Sequence, residues 1–191
     1  MSFLPSLLYG LAMLSKLMIA VLALCLAPVA AAVASHIPGQ PCTDCADHGN
    51  WPTIRGKVTK APTSGGTLRG TGLSDQLMGH HGSDKLIGGG KSDVLWGDWD
   101  GVGQPTSQRD RIRGGGGSDF VYGSHGRNVI RGGAGNDAIS VHYGRGFVDC
   151  GPGRDIYHVA KTRKKGYKFR NCEKVDYRSE RQRGGGLRPL P

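Results

Sequence analysis

The sequence lacks a recognisable catalytic constellation. No Ser/His/Asp or Cys/His arrangement stands at a meaningful spacing, and the scattered candidates are His80, His81, His125, His142 and the Asp98-Trp-Asp100 pair. Residues 35–69, rich in Pro, Ser and Gly, are too short to form a catalytic domain, so an enzyme is the weaker reading. Cysteine is scarce too. Beyond Cys25 there are only Cys42, Cys45, Cys150 and Cys172, an even set that suits disulfides in an oxidising compartment better than thiolate metal ligation. Acids are outnumbered, 15 against 25 Lys and Arg, for a net charge of +10. No nucleic-acid motif accompanies that charge, which leaves a solubilising surface or an anionic polymer as its reading.

Only one run is long and apolar, Leu17 to Leu26, with Lys16 ahead of it and small residues from Ala30 to Ala34 behind. This is the layout of a secretory signal peptide over 1–34, with cleavage after Ala32-Val33-Ala34 and a mature chain from Ser35. The alternative is an uncleaved anchor. A start at Met13 gives a tidier charged n-region, and Leu24 before Cys25 argues against a lipoprotein signal. The expected location is therefore extracellular. Four mature cysteines allow three pairings, and sequence neighbourhood favours Cys42 with Cys45 and Cys150 with Cys172. The Cys42-Thr-Asp-Cys45 spacing also suits a redox motif, but no βαβ pattern surrounds it.

Glycine is abundant, 33 residues, and it is periodic. Nine-residue units begin at Gly70, Gly79 and Gly88; a fourth opens at Gly97, carries an eight-residue insertion and closes on Asp110 to Arg113. The register resumes at Gly114, Gly123, Gly132, Val141 and Cys150, giving nine units over 70–158. Position eight is always large and apolar: Leu77, Leu86, Leu95, Ile112, Val121, Ile130, Ile139, Val148 and Tyr157. One inward side chain per unit builds a stacked core that no single unit could form. Position six is Asp75, Asp84, Asp93, Asp110, Asp119, Asn128, Asp137, Gly146 and Asp155, aspartate in seven of nine.

These units resemble the haemolysin-type calcium-binding nonapeptides of the RTX family, G-G-x-G-x-D-x-U-x with U a large apolar residue. The resemblance implies an all-β fold, a parallel β-roll in which six residues turn around calcium and three form a strand. It also implies calcium as the cofactor, held by Asp75, Asp84, Asp93, Asp110, Asp119, Asp137 and Asp155 with turn carbonyls. Without calcium such a chain is expected to be largely unfolded. The bland account, that Ser-Asp and Asn-Asp merely suit tight turns, does not explain a fixed nine-residue spacing. Thr71, His80 and Ser124 replace the second glycine, Leu73 and Lys91 replace the fourth-position one, and those turns are expected to be looser than the family pattern. Asp149 to Asp155, followed by Cys172-Glu173, looks like the closing unit of secreted actinobacterial members. Residues 159–178 then cap the roll, 35–69 form an irregular lead-in with one strand near Ile54 and Val58, and 179–191 form a basic disordered tail.

Each unit supplies half a coil, so odd and even units occupy opposite sheets and opposite edges. The odd edge reads Asp75, Asp93, Asp119, Asp137, Asp155 without a break. The even edge reads Asp84, Asp110, Asn128, Gly146, with Arg127 and Arg145 beside its two losses, so calcium is expected chiefly on the odd edge. On the even edge, Asp98 or Asp100 from the insertion is a candidate to assist Asp110. Outward positions put Val94, Trp96, Phe120 and Tyr122 in one patch on the odd sheet, with Ile156, and Lys85, Arg111, Arg113 and Arg131 on the even one. An apolar patch of that kind needs a cover, from the chain itself or from a partner. Beyond calcium, the partner classes are an anionic cell-surface polymer or none; no specific nucleic acid is expected, and the oligomeric state is open. His81 and His125 would sit about two coils apart, roughly 10 Å at the strand spacing, too far to share a metal.

Overall fold

Each unit places its apolar position-eight residue in a short extended stretch and its glycines in the turn, which yields a chain of three- to eight-residue strands. The structure, a computed structural model, describes residues 51–100 and 103–178, all within the compact unit Ile37–Pro191. The leader, the Cys42/Cys45 pair and the basic tail lie outside the described residues.

Thirteen strands are present: β1 (Val58–Lys60), β2 (Thr67–Arg69), β3 (Gln76–Met78), β4 (Lys85–Gly89), β5 (Val94–Trp96), β6 (Arg109–Gly116), β7 (Phe120–Tyr122), β8 (Arg127–Ala134), β9 (Ala138–Ser140), β10 (Arg145–Asp149), β11 (Ile156–His158), β12 (Tyr167–Arg170) and β13 (Lys174–Asp176). Odd strands form a seven-stranded parallel sheet and even strands a six-stranded one, each strand paired with its neighbour one coil away. The protein is an all-β parallel β-roll.

The register confirms the repeat. Leu77 pairs with Leu95, Leu95 with Val121, Val121 with Ile139 and Ile139 with Tyr157. The eight-residue insertion leaves the ladder intact, since Leu86 still faces Ile112 across it. All nine position-eight side chains are buried in one cluster.

The ladders run past both ends of the nine units. At the start, β1 pairs with β3 and β2 with β4, and Leu68 joins the core. At the finish, a 3-10 turn at Lys164–Gly166 adds three residues to the coil, so that Phe169 rather than residue 166 faces Val148. Tyr157 and Phe169 then stack at 4.1 Å and close the core. The disulfide Cys150–Cys172 is formed, as sequence neighbourhood indicated.

The apolar patch lies on one sheet. Trp96 and Tyr122 stack with ring centroids 3.9 Å apart, and Val94 and Phe120 are buried beside them. The lead-in contributes cover: Trp51 packs edge-on to both rings and donates Nε1–H to the Tyr122 hydroxyl at 3.1 Å, and Ile54 joins the cluster.

Candidate metal centre

Two coils stacked in parallel bring their position-six residues one above the other at the turn, where backbone N–H groups need acceptors. On the odd edge a single pattern repeats. The Asp75 N–H donates to Asp93 Oδ1 at 2.7 Å, Asp93 to Asp119 Oδ1 at 2.8 Å, Asp119 to Asp137 Oδ1 at 2.8 Å and Asp137 to Asp155 Oδ1 at 2.7 Å. Lys57 N–H donates likewise to Asp75 Oδ1. One oxygen of each carboxylate thus ties neighbouring coils together.

The second oxygen separates the sites. Asp93, Asp119, Asp137 and Asp155 are fully buried, and the Oδ2 atom of each has no hydrogen-bond partner. Their units carry Gly89, Gly115, Gly133 and Gly151 at position two, all at positive φ between 108° and 128°. Where position two is Thr71 or His80, its N–H instead donates to the carboxylate of its own unit, Thr71 to Asp75 Oδ2 at 2.6 Å and His80 to Asp84 Oδ2 at 3.0 Å. Ser124 does the same to Asn128 Oδ1 at 3.1 Å. The expectation that these three turns are looser is therefore corrected: each is tethered, because a residue at ordinary negative φ turns its N–H inward.

The even edge is closed by hydrogen bonds. Asp84 Oδ1 accepts from Gly66 N–H at 2.7 Å, and Asp84 N–H donates to Asp110 Oδ1 at 2.8 Å. The Ser124 hydroxyl donates to Asp110 Oδ2. Asn128 Nδ2 donates to the Tyr167 hydroxyl at 2.8 Å, which in turn donates to the Tyr143 carbonyl at 2.7 Å. Tyr167 pairs with Gly146, which pairs with Asn128, so the phenol crosses the gap where Gly146 has no side chain. Asp98 lies 3.0 Å from His81 Nδ1 and accepts from Gln108 Nε2 at 3.3 Å. His125 meets Gln104 rather than His81.

Burial of adjacent carboxylates leaves its mark on their acidity. Desolvation, followed by the charges of Asp137 and Asp93, pushes Asp119 up to about 9 despite its backbone hydrogen bond. Asp93 and Asp137 rise to about 7, and Asp110 to about 6, again with desolvation as the leading cause. Asp84 and Asp155 shift upward for the same reason. Stacked, dry carboxylates with orphaned oxygens fit a cation, because an unpaired buried polar atom is costly and like charges oppose joint ionisation. Among the described residues no group of three or more His, Cys, Asp or Glu is placed to hold a metal. Carboxylates from two turns together with backbone carbonyls form an all-oxygen donor set, which suits calcium with its six to eight oxygen ligands.

The close packing also explains the first glycine. A Cβ on Gly88, Gly114 or Gly132 would come within 2.1 to 2.3 Å of the Oδ2 of Asp93, Asp119 or Asp137.

Tyr167 escaped sequence reasoning, and Glu173 entered it only within the closing-unit resemblance, not as a ligand. Tyr167 was hidden by the three-residue offset of its coil. Glu173 lies one 18-residue step after Asp155, and it takes the Asp155 N–H on Oε2 at 2.7 Å; the step itself was the available signal.

The structure is a parallel β-roll with one file of orphaned carboxylates along its odd edge. Residues 69–100 and 106–139 match the RTX calcium-binding nonapeptide repeat in four copies, so the chain carries the calcium-binding repeats of the RTX family. No curated protein and no solved structure matches it.

Proposed function

We propose that this is a secreted β-roll that folds when it meets extracellular calcium and then serves as a rigid structural or surface-binding module. The observation that carries the reading is the unbroken run of four buried, partnerless carboxylate oxygens at Asp93, Asp119, Asp137 and Asp155. Calcium, when bound, supplies the positive charge that allows such neighbours to ionise together. The chain's own residues hold the turns open for it through Gly89, Gly115 and Gly133, and hold the coils in register through the Oδ1 bonds. The ions then belong between successive members of the odd file, while the even edge is held by Ser124, Asn128 and Tyr167. Low calcium inside the cell keeps such a chain unfolded for export, and millimolar calcium outside drives the roll to form, since metal binding is folding energy.

Calcium titration by calorimetry separates the edges. Asp119→Ala should remove two ions, because that carboxylate is shared, and weaken calcium-driven folding strongly. Asn128→Ala should leave the ion count unchanged. Equal calcium losses from both variants would contradict the odd-edge assignment.

A second reading rests on the outer face of the even sheet. Lys85 lies directly opposite Arg111, Arg113 opposite Arg131, and Arg109, Arg127 and Arg145 form a third column. All are exposed, and the arginine ion pairs among the described residues are Arg170–Asp149 and Arg178–Asp176. Like charges directly opposite one another weaken a sheet, while straight arginine columns complement a linear acidic polysaccharide. Half-buried Ile87, Val129 and Phe147 interleave with these residues on the same face. With the calcium-loaded protein on immobilised heparin, the double variant Arg111→Ala/Arg131→Ala should elute at lower salt than Lys161→Ala/Lys165→Ala. Equal elution would reduce the effect to net charge and contradict this reading.

A further inference from the structure

We propose that the calcium file continues one turn beyond the last nonapeptide and ends on Glu173, and that the Cys150–Cys172 disulfide holds this terminal site together. The proposal rests on the calcium reading of the odd edge and extends it to a part of the chain outside the segments that match the repeat.

The backbone register places Glu173 in the file. β13 pairs with β11 in parallel, with Tyr157 facing Val175, the same 18-residue step that joins Ala138 to Ile156 and Phe120 to Ala138. The hydrogen-bond pattern agrees: Asp155 N–H reaches Glu173 Oε2 at 2.7 Å, matching the bond from Asp137 N–H to Asp155 Oδ1. A glutamate in place of aspartate spans the same gap from a turn that is not glycine-rich. Asp155 is buried with Oδ2 unpartnered, just as at Asp93, Asp119 and Asp137. No ion pair engages Glu173 among the described residues. Asp155 and Glu173 therefore meet at one turn, with Asp155 Oδ2 unpartnered and Glu173 Oε2 on the Asp155 N–H.

The disulfide lies at the same turn. Cys150 occupies position one of the unit that carries Asp155, where other odd units have glycine, and Cys172 immediately precedes Glu173. Their Cα atoms are 5.1 Å apart. Glu173 is exposed at the end of the stack, so its ion is the weakest of the file, and the covalent link between the two turns keeps its ligands within reach. Calcium and the disulfide are thereby coupled: each favours the arrangement the other needs, and the coupling is reciprocal.

Three measurements on the full mature chain test this. By equilibrium dialysis against radioactive calcium, Glu173→Gln should bind one ion fewer than the native protein, with the remaining ions unaffected and the β spectrum retained; Glu173→Asp should keep the ion. Dithiothreitol, which reduces the Cys150–Cys172 bond to two thiols and is itself oxidised to its cyclic disulfide, should weaken that same ion by roughly tenfold, in the range of coupled sites. It should have no effect on calcium binding by Glu173→Gln. In the native protein the rate of reduction should go on falling at calcium concentrations above those that complete folding, as the weak terminal site fills. An unchanged ion count in Glu173→Gln, or a reduction rate that levels off where folding is complete, would overturn the terminal site while leaving calcium-driven folding intact. A chain that does not respond to calcium at all would overturn both.

Discussion

At the scale of the residue, the second position of each unit decides what its carboxylate can do. Glycine at positive φ leaves Oδ2 of Asp93, Asp119, Asp137 and Asp155 without a partner, whereas His80 satisfies Asp84 from its N–H and Thr71 satisfies Asp75 from both its N–H and its hydroxyl. Thr71→Gly should therefore release Asp75 Oδ2 and raise the affinity of the first odd-edge site by several-fold in a calcium titration, although Gly adds backbone entropy to the unfolded chain. A titration unaltered by the change would show that neither the inward turn of the Thr71 N–H nor the Thr71 hydroxyl competes with the ion. The seven aspartates and the nine inward apolar residues were legible because each repeats at a fixed step and needs only periodicity to be seen. The rule for position two was not, because it acts through φ, and the same replacement of glycine reads equally well as a looser turn until the N–H is placed. Glu173 was named in the closing unit, but its place in the file was not read for a related reason: the repeat pattern names aspartate, and its turn has lost the surrounding glycines.

At the scale of the element, the two edges of the roll solve one problem by different means. The odd edge stacks carboxylates; the lower even edge stacks Ser124, Asn128 and Tyr167, a side-chain network with its hydroxyl and amide groups paired. Tyr167→Phe leaves the Asn128 amide one acceptor short and should cost about 1–2 kcal/mol of stability, measured by urea unfolding at saturating calcium. Calcium stoichiometry should stay the same, and a lost ion would mean that the even edge also binds metal there. Strands β1, β2, β12 and β13 were the least legible part of the fold. Position six of the first coil holds Lys57 and Gly66, which match no ligand pattern, and the last coil carries a three-residue offset that breaks the period. Their strands form because an open parallel sheet edge exposes unpaired N–H and C=O groups, and the next chain segment satisfies them whatever its repeat score. The Trp96/Tyr122 patch illustrates the same limit. Its position on one face followed from alternation, but that Trp51 supplies part of its cover depends on a non-periodic segment.

At the scale of the whole molecule, stability is tied to the ionisation of one file of side chains. The folded, metal-free pKa values of Asp93, Asp119 and Asp137, about 7, 9 and 7, lie above the ordinary 3.8 because burial opposes the charge. The folded state then holds more protons than the unfolded state between pH 4 and 9, so metal-free stability falls as pH rises through that window. Decalcified protein should therefore show more β structure near pH 5 than near pH 9, by circular dichroism. Calcium should act oppositely: it displaces those protons, and its affinity should increase over the same range. A decalcified chain with greater order at pH 9 would contradict the account of the buried file.

The most direct test of the central claim is far-UV circular dichroism of the mature protein at neutral pH, first with excess chelator and then with millimolar calcium, using magnesium as the control. Stacked carboxylates repel without a cation, and a glycine-rich backbone loses much entropy on ordering. The account predicts a largely unfolded spectrum in chelator, a β spectrum restored by calcium and little response to magnesium. A β spectrum that chelator leaves unchanged would contradict it.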